Sequence, residues 1–274
     1  RHTRFALVSG LGDVYKRQYL TGTLAAGYIN GIQSQHVAVT AKHFVANDSE
    51  FERNSIDSQV DERTLREVYL LPFEHAVKDG NAWGIMSSYN RVNGIFASEH
   101  EWLLKTVLRE QWGFDGFVVS DWFAARSTGP SIKAGLSLEM PGKGQWYGPE
   151  RIIEAIENDE CTESELDEIV KDMLRLMQRT NAFNGVGGGE EKQIDSAEHR
   201  NLIRHAATEG TVLIKNDGVL PLNPDALETL ALIGPNARSA KIMGGGSAGV
   251  RPYRNVSPLS ALTCLLYTSP SPRD

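Results

Sequence analysis

Apolar residues recur along the first two thirds of the chain in two alternating spacings. Short continuous apolar runs of strand length lie at residues 37–41, 82–87 and 117–120. Segments whose apolar positions repeat with a helical period lie around them, at residues 19–31, 61–78, 99–112 and 131–134. The strand–loop–helix order predicts parallel strands joined by right-handed crossovers, in either a β/α barrel or an open doubly wound sheet.

Apolar residues at helical spacing predict helices at the beginning and at the end of this region. In the first predicted helix, the positions that share one apolar face are Leu20, Leu24, Tyr28 and Ile32. Two further helices are predicted at residues 149–158 and 162–180. The second of them has an apolar stripe that we expect to pack in the core, formed by Leu166, Ile169, Met173, Leu176 and Met177.

A glycine-rich segment without periodicity separates this region from a second one. We expect residues 19–183 to form the first domain, residues 184–195 a flexible linker and residues 196–263 the beginning of a second α/β domain. In the second domain a helix is predicted at 196–209, strands at 211–215 and 230–233, and a tight turn at 216–218. The glycine run at 244–247 lacks the residues of a phosphate-binding loop, which favours a close approach to another surface.

Polar side chains follow the predicted strands. Lys42 and His43 follow the first strand, Tyr89 the second, and Asp121 and Trp122 the third. Because the carboxyl ends of parallel strands share one face of the fold, these residues are expected to form a site. Asp121 offers a nucleophile or base, and the indole of Trp122 offers an apolar face to a sugar ring. For Glu139, after the next apolar segment, we expect a structural role.

Composition narrows the class of protein. The 274 residues include 28 Lys and Arg against 35 Asp and Glu, a formal net charge of -7 that argues against nucleic acid as a partner. No apolar run is long enough to span a bilayer, so no membrane partner is expected. Two cysteines imply no disulfide framework, and the cellular compartment stays open.

The terminal segments do not resemble the rest of the chain. Residues 13–18 back-translate to DNA whose opposite strand, in another frame, encodes residues 264–269. We therefore expect residues 1–18 and 264–274 to be translated sequencing adapter and the gene to be truncated at both sides.

Several ordered motifs resemble the β-glucosidase type of family-three glycoside hydrolases. These are Lys42-His43-Phe44-Val45 followed by Asn47-Asp48 and Arg53, then residues 86–90, then residues 116–122. Matching pieces of the second domain lie at 210–216, 233–237 and 244–248, so the resemblance covers nearly all of residues 19–262. Ser137 departs from the family, which usually carries Asp there.

The resemblance implies the C-terminal part of a TIM-like (β/α) barrel followed by the start of an α/β sandwich domain. It also implies a retaining, exo-acting hydrolysis of terminal β-D-glucosyl residues with Asp121 as nucleophile. We expect neither a cofactor nor a metal. The family surrounds the terminal sugar with Lys42, His43, Arg53 and Tyr89, while Met86 and Trp122 line the pocket. Its acid/base Glu lies beyond residue 263, so this chain is expected to be catalytically incomplete.

Alternatives to a β-glucosidase remain open. The same family includes β-xylosidases, and the terminal sugar cannot be assigned from these residues. From another class, Lys42 at a strand end could form a Schiff base with a carbonyl substrate, as in a lyase. A non-catalytic carbohydrate-binding fragment is a third possibility, although binding alone needs no carboxylate at the anomeric carbon.

Overall fold

A computed structural model describes residues 17–142, 144–185, 193–245 and 249–267. The chain divides into two compact units, Arg1–Gly189 and Glu190–Asp274. Most of the expected adapter segments, the middle of the expected linker and the loop positions 246–248 lie outside the described residues.

The first unit is a mixed α/β structure. Its strands are β1 (Thr40–Phe44), β2 (Asp57–Ser58), β3 (Gly84–Ser87), β4 (Arg91–Val92), β5 (Ile95–Phe96) and β6 (Phe117–Ser120). Its helices are α1 (Gln18–Gln33), α2 (Glu62–Thr64, continued by the π-helical Leu65–Leu70 and by Leu71–Lys78), α3 (the π-helical Trp102–Gln111), α4 (Gly129–Ala134), α5 (Pro149–Glu157) and α6 (Glu163–Arg179). Short 3-10 turns occupy Ala97–Glu99 and Ala182–Asn184.

A parallel sheet with strand order β1-β3-β6 forms the centre of this unit. Val119 of β6 also forms one parallel bridge with Leu138, so a fourth segment follows in the same direction. A second small sheet has the order β2-β4-β5. The parallel pairing predicted from the strand–loop–helix order is confirmed, and the carboxyl ends of β1, β3 and β6 lie at one edge.

The two faces of the central sheet are covered by different helices. Ile85 and Val118 point to one side, where they join a buried cluster with residues of α2 and α3 such as Leu70 and Leu104. On the opposite side, Met86, Phe117 and Val119 pack with residues of α6. Both faces are apolar, because a parallel sheet between helices has no solvent face.

The predicted helix at the beginning of the first unit is present, but of its predicted apolar face only Ile32 packs against the core. Leu20, Leu24 and Tyr28 are exposed to solvent, and the buried face is formed by Gly22, Ala25, Ala26, Ile29 and Gln33. Small residues allow the backbone of α1 to approach α2 closely: a Cβ at Gly22 would lie 2.7 Å from the His75 ring. Close packing of small side chains therefore outweighs the burial of larger ones here.

Several other predictions shift at their boundaries. The strand expected at 37–41 is observed at Thr40–Phe44, so Lys42 and His43 lie within the strand. The helix expected at 61–78 is confirmed, with Asp61 as its N-cap accepting from the Thr64 amide. In α6, Thr162 and Glu165 form a capping box. Met177 of the predicted stripe is 40% exposed, so it is not part of the core.

The second unit contains α7 (Ala197–Gly210), a 3-10 turn (Pro224–Ala226) and α8 (Pro258–Tyr267). The predicted turn near 217 is present, since Asn216 Oδ1 accepts from the amides of Val219 and Leu220 at 3.0 Å. The strands predicted at 211–215 and 230–233 are wrong: neither segment is a strand among the described residues. A strand needs a partner for its backbone hydrogen bonds, and these apolar segments are solvent-exposed instead.

No helix among the described residues combines the length and apolar character that crossing a membrane would require.

Candidate active site

The site lies where the three parallel strands end. Backbone hydrogen bonds extend beyond the strands: the Ser88 amide donates to Phe44 O at 2.7 Å, and the Asp121 amide donates to Ser87 O at 3.1 Å. The Lys42–His43 and Phe44–Val45 peptide bonds are cis. The side chains that follow these strands are therefore held by a hydrogen-bonded backbone rather than by a free loop.

Asp121 is the centre of the arrangement and is only 8% exposed. Its Oδ1 accepts from the Tyr89 hydroxyl at 3.0 Å and from the Trp122 amide at 2.7 Å. Its Oδ2 lies 3.2 Å from His43 Nε2. Contacts on both oxygens fix the orientation of the carboxylate.

The charge of Asp121 acts on its neighbours. Burial lowers the pKa of Lys42, and the negative charge of Asp121 opposes this shift. Burial likewise lowers the pKa of His43, with Asp121 again opposing. Burial, the charge of Asp121 and the hydrogen bond to it raise the pKa of Tyr89 to about 12. Tyr89 is therefore a hydrogen-bond donor at all ordinary pH values.

Arg53 approaches the site from the loop between β1 and β2. Its guanidinium carbon lies 4.7 Å from the centroid of the Tyr89 ring. Its Nη1 is 2.7 Å from Glu50 Oε2 on the same loop. The same loop is also bonded to the segment after β6, because Arg126 Nη2 donates to Asn54 O at 3.1 Å.

Asn90 anchors the beginning of that loop. Its Nδ2 lies 3.2 Å from both Val45 O and Ala46 O, and also 3.2 Å from Ser58 Oγ. Ser58 Oγ in turn donates to Ala46 O. The turn after β1 is thus fixed to the residues after β3, which sets the path of the loop that carries Arg53.

The remaining predicted residues lie in different surroundings. Trp122, adjacent to Asp121 in the chain, is 37% exposed. Met86 is 1% exposed and belongs to the apolar cluster with Phe117 and Val119. Glu139 is buried and accepts from the amides of Trp146 and Tyr147, which agrees with the structural role expected for it.

Two polar contacts were not predicted from the sequence. Glu50 pairs with Arg53, and the only signal was opposite charge three residues apart. Ser137 Oγ donates to Asp172 Oδ2 at 2.8 Å and accepts from the Val118 amide. A serine therefore satisfies the local hydrogen bonding at the position where the family pattern has Asp.

Among the described residues, no three or more His, Cys, Asp or Glu side chains converge as metal ligands would. The described chemistry is that of an oriented carboxylate with cationic and hydroxyl neighbours.

Comparison with known proteins identifies related chains. A beta-glucosidase of Rhizobium radiobacter is 49% identical over 254 residues, which are 93% of this chain and 31% of that protein. The crystal structure of beta-glucosidase from Kluyveromyces marxianus in complex with glucose has a TM-score of 0.86 at 36% identity, covering 91% of this chain and 31% of that one. Beta-glucosidase 3B from Thermotoga neapolitana in complex with glucose has a TM-score of 0.83 at 38% identity, covering 90% of this chain and 35% of that one.

This chain thus spans about a third of the length of these relatives. Residues 15–176 match the N terminal domain of glycosyl hydrolase family 3, and residues 211–268 match the C-terminal domain of the same family. The chain belongs to glycosyl hydrolase family 3.

Proposed function

We propose that this chain is the part of a retaining, exo-acting β-glucosidase that carries the nucleophile, Asp121. The observation that carries the proposal is the fixed carboxylate, held by the Tyr89 hydroxyl, the Trp122 amide and His43. The relatives named beta-glucosidase support glucose as the terminal sugar. β-Xylosidase is the alternative within the family.

In the proposed mechanism, an Asp121 oxygen attacks the anomeric carbon of the terminal glucosyl residue. The bond to the leaving oxygen breaks, that oxygen takes a proton from a carboxylic acid, and a glycosyl–aspartate ester forms. Water then attacks the same carbon, the acid now serving as base, and the ester bond to Asp121 breaks. We place the second carboxyl group in the part of the relatives that this chain does not span.

The surrounding residues have roles consistent with their charges. Lys42 and Arg53 donate charge-assisted hydrogen bonds to sugar hydroxyls, and His43 donates or accepts beside them. Tyr89 limits the rotation of the Asp121 carboxylate through its hydroxyl. Trp122 stacks on the C–H face of the ring, and Met86 borders the pocket in the assembled enzyme.

We also propose that the first unit is the C-terminal part of a TIM-like barrel. The parallel order β1-β3-β6, followed by the bridge to Leu138, supports successive barrel strands, and α2 and α3 cover the face that would lie outside the barrel. The second unit then begins the α/β sandwich. The proposed domains are residues 19–183 and 196–263, joined by 184–195.

Covalent labelling tests the nucleophile with this chain itself. A 2-deoxy-2-fluoro-β-glucoside with a dinitrophenolate leaving group needs no acid to protonate the departing oxygen. We expect mass spectrometry of the digested chain to find the fluoroglucosyl group on Asp121. Asp121→Asn should abolish labelling, whereas Asp167→Asn, an exposed position on α6, should leave it unchanged.

Other probes separate the alternatives. Faster labelling by the corresponding fluoroxyloside would favour a β-xylosidase. Borohydride trapping of a carbonyl compound on Lys42, without labelling of Asp121, would support the Schiff-base lyase. Sugar binding without any labelling would support a carbohydrate-binding fragment.

A further inference from the structure

Glu50 is connected to the proposed nucleophile through two intervening side chains. Its Oε2 lies 2.7 Å from Arg53 Nη1, and the Arg53 guanidinium carbon lies 4.7 Å from the Tyr89 ring centroid. The Tyr89 hydroxyl donates to Asp121 Oδ1 at 3.0 Å. An ion pair, a cation–π contact and a hydrogen bond thus form one continuous path.

Charge at the site is balanced only when Glu50 is counted. Lys42 and Arg53 are cationic, while Asp121 and Glu50 are anionic. These four groups are also the ones that act on His43: Asp121 and Glu50 raise its pKa, and Lys42 and Arg53 lower it, while burial lowers it most. With His43 neutral, removing the charge of Glu50 leaves one positive charge in excess.

An excess positive charge matters for glycoside cleavage. The transition state resembles an oxocarbenium ion, so positive charge develops on the sugar ring. An uncompensated guanidinium nearby raises the energy of that state more than the energy of the neutral substrate.

We propose that Glu50 is a positioning residue: it holds the Arg53 guanidinium on the Tyr89 ring and offsets its charge beside Asp121. This inference rests on the proposed function. Both members of the pair are about half exposed, and exposed ion pairs contribute little to stability. Glu50→Gln is therefore expected to fold normally, which keeps its electrostatic effect measurable.

The matched control lies two residues away. Glu52 is an exposed carboxylate on the same loop, so Glu52→Gln makes the same chemical change at nearly the same place in the chain. An effect of overall charge would appear in both variants. An effect of the connected path would appear in Glu50→Gln alone.

The first measurement does not depend on catalysis. NMR titration of His43 in the whole chain should give a lower pKa in Glu50→Gln than in wild type and no such change in Glu52→Gln. In the single variant Arg53→Gln, the pKa of His43 should be higher than in Glu50→Gln, because Arg53 lowers this pKa and Glu50 raises it. Equal His43 pKa values in wild type and Glu50→Gln would overturn the inference.

The second measurement is the rate of labelling by the fluoroglucoside. Glu50→Gln should slow labelling about 10-fold, the size expected for one uncompensated charge partly screened by water. In the Arg53→Gln background, adding Glu50→Gln should slow labelling much less, because no guanidinium is left for Glu50 to hold or offset. An equal slowing in that background, or in Glu52→Gln, contradicts the proposal. If wild type is not labelled, the proposed function fails, and the His43 titration decides the role of Glu50 by itself.

Discussion

Tyr89 shows how one side chain at a strand end can serve two neighbours, with its hydroxyl on Asp121 and its ring against Arg53. Tyr89→Phe keeps the ring and removes the donor. We expect labelling of Asp121 to slow by about 100-fold, the usual cost of one lost donor to a reacting group. Tyr28→Phe, an exposed position on α1, is the control and should label at the wild-type rate. An unchanged rate for Tyr89→Phe would show that the hydroxyl is not needed to orient the carboxylate.

The partly buried His43 and the buried His100 should make the stability of the protein depend on pH. Burial lowers the pKa of both His43 and His100 in the folded state. The unfolded chain then binds more protons, so the free energy of unfolding should fall as the pH drops below the ordinary histidine value of about 6.5 and level off below the folded values.

Urea unfolding at about pH 7.5 and about pH 5 measures this loss. The loss should be smaller in His43→Asn, which lacks one of the two groups. His36→Asn, at an exposed position, controls for a histidine removed without emptying a buried site. An equal loss in wild type and His43→Asn would contradict the contribution of His43.

The residues of the site were predictable to the extent that strand ends determine them. Lys42, His43, Tyr89 and Asp121 converge because parallel strands place their carboxyl ends together. Arg53 and Glu50 lie on a loop whose path depends on hydrogen bonds from Asn90, a tertiary feature that spacing along the chain does not contain. The family resemblance supplied Arg53, but neither source supplied Glu50.

At the scale of elements, the central sheet depends on a glycine where β1, β3 and β6 meet. A Cβ on Gly84 would lie 2.6 Å from both Phe117 Cζ and Thr40 Oγ1. Gly84→Ala should therefore lower the free energy of unfolding by about 1–3 kcal/mol, the usual range for overpacking a core. Gly27→Ala on α1 meets no atom within 4 Å and should be neutral or stabilising, because alanine favours the helix. Chemical denaturation of both variants measures these changes in the free energy of unfolding.

A buried ion pair joins α3 to α6. Arg109 Nη2 lies 2.7 Å from Asp172 Oδ2, and the same guanidinium donates to Gly135 O at 3.1 Å. Among the described residues, Arg109→Met leaves the buried Asp172 with Arg175 as its remaining cationic partner. We expect it to destabilise the protein by about 3 kcal/mol.

Two further variants test whether this effect is due to the unpaired charge. Replacing both partners, as in Arg109→Met with Asp172→Leu, should recover part of the loss, because no charge is then left buried. Lys171→Met removes a cation from an exposed pair on the same helix and should change little. A double variant less stable than Arg109→Met would show that packing, not charge, dominates.

The elements themselves were predicted well where periodicity and packing agree. β6 is observed at the predicted residues because Phe117, Val118 and Val119 are all buried. In α1 periodicity gave the helix but not its buried face, since contact of small residues with α2 decided which side packs. The spacing of apolar residues indicates which residues can lie on one face of a helix. It does not indicate which face packs against another element.

At the scale of the whole molecule, the two units differ in how much of them is buried. None of the described residues of the second unit is buried, and Ile214 and Ile233 are 94% and 92% exposed. Their sequences have the composition of buried strands, and similar segments in a complete sheet would be covered. The prediction of strands failed here because strand formation requires neighbouring strands that the described residues of this unit do not supply.

Hydrogen exchange on the whole chain should reveal this difference directly. Amides of β3 and β6 are paired in a sheet covered on both faces, so they should exchange only through large-scale unfolding. Amides at 211–215 and 230–233 have no ladder partner in the described structure and should exchange at rates close to those of an unfolded peptide. The helix α7 should lie between these limits, since its amides are hydrogen-bonded while its side chains are exposed. Protection at 211–215 that rises with protein concentration would mean instead that the exposed segments pair with a second copy, because an unpaired strand edge readily accepts another chain.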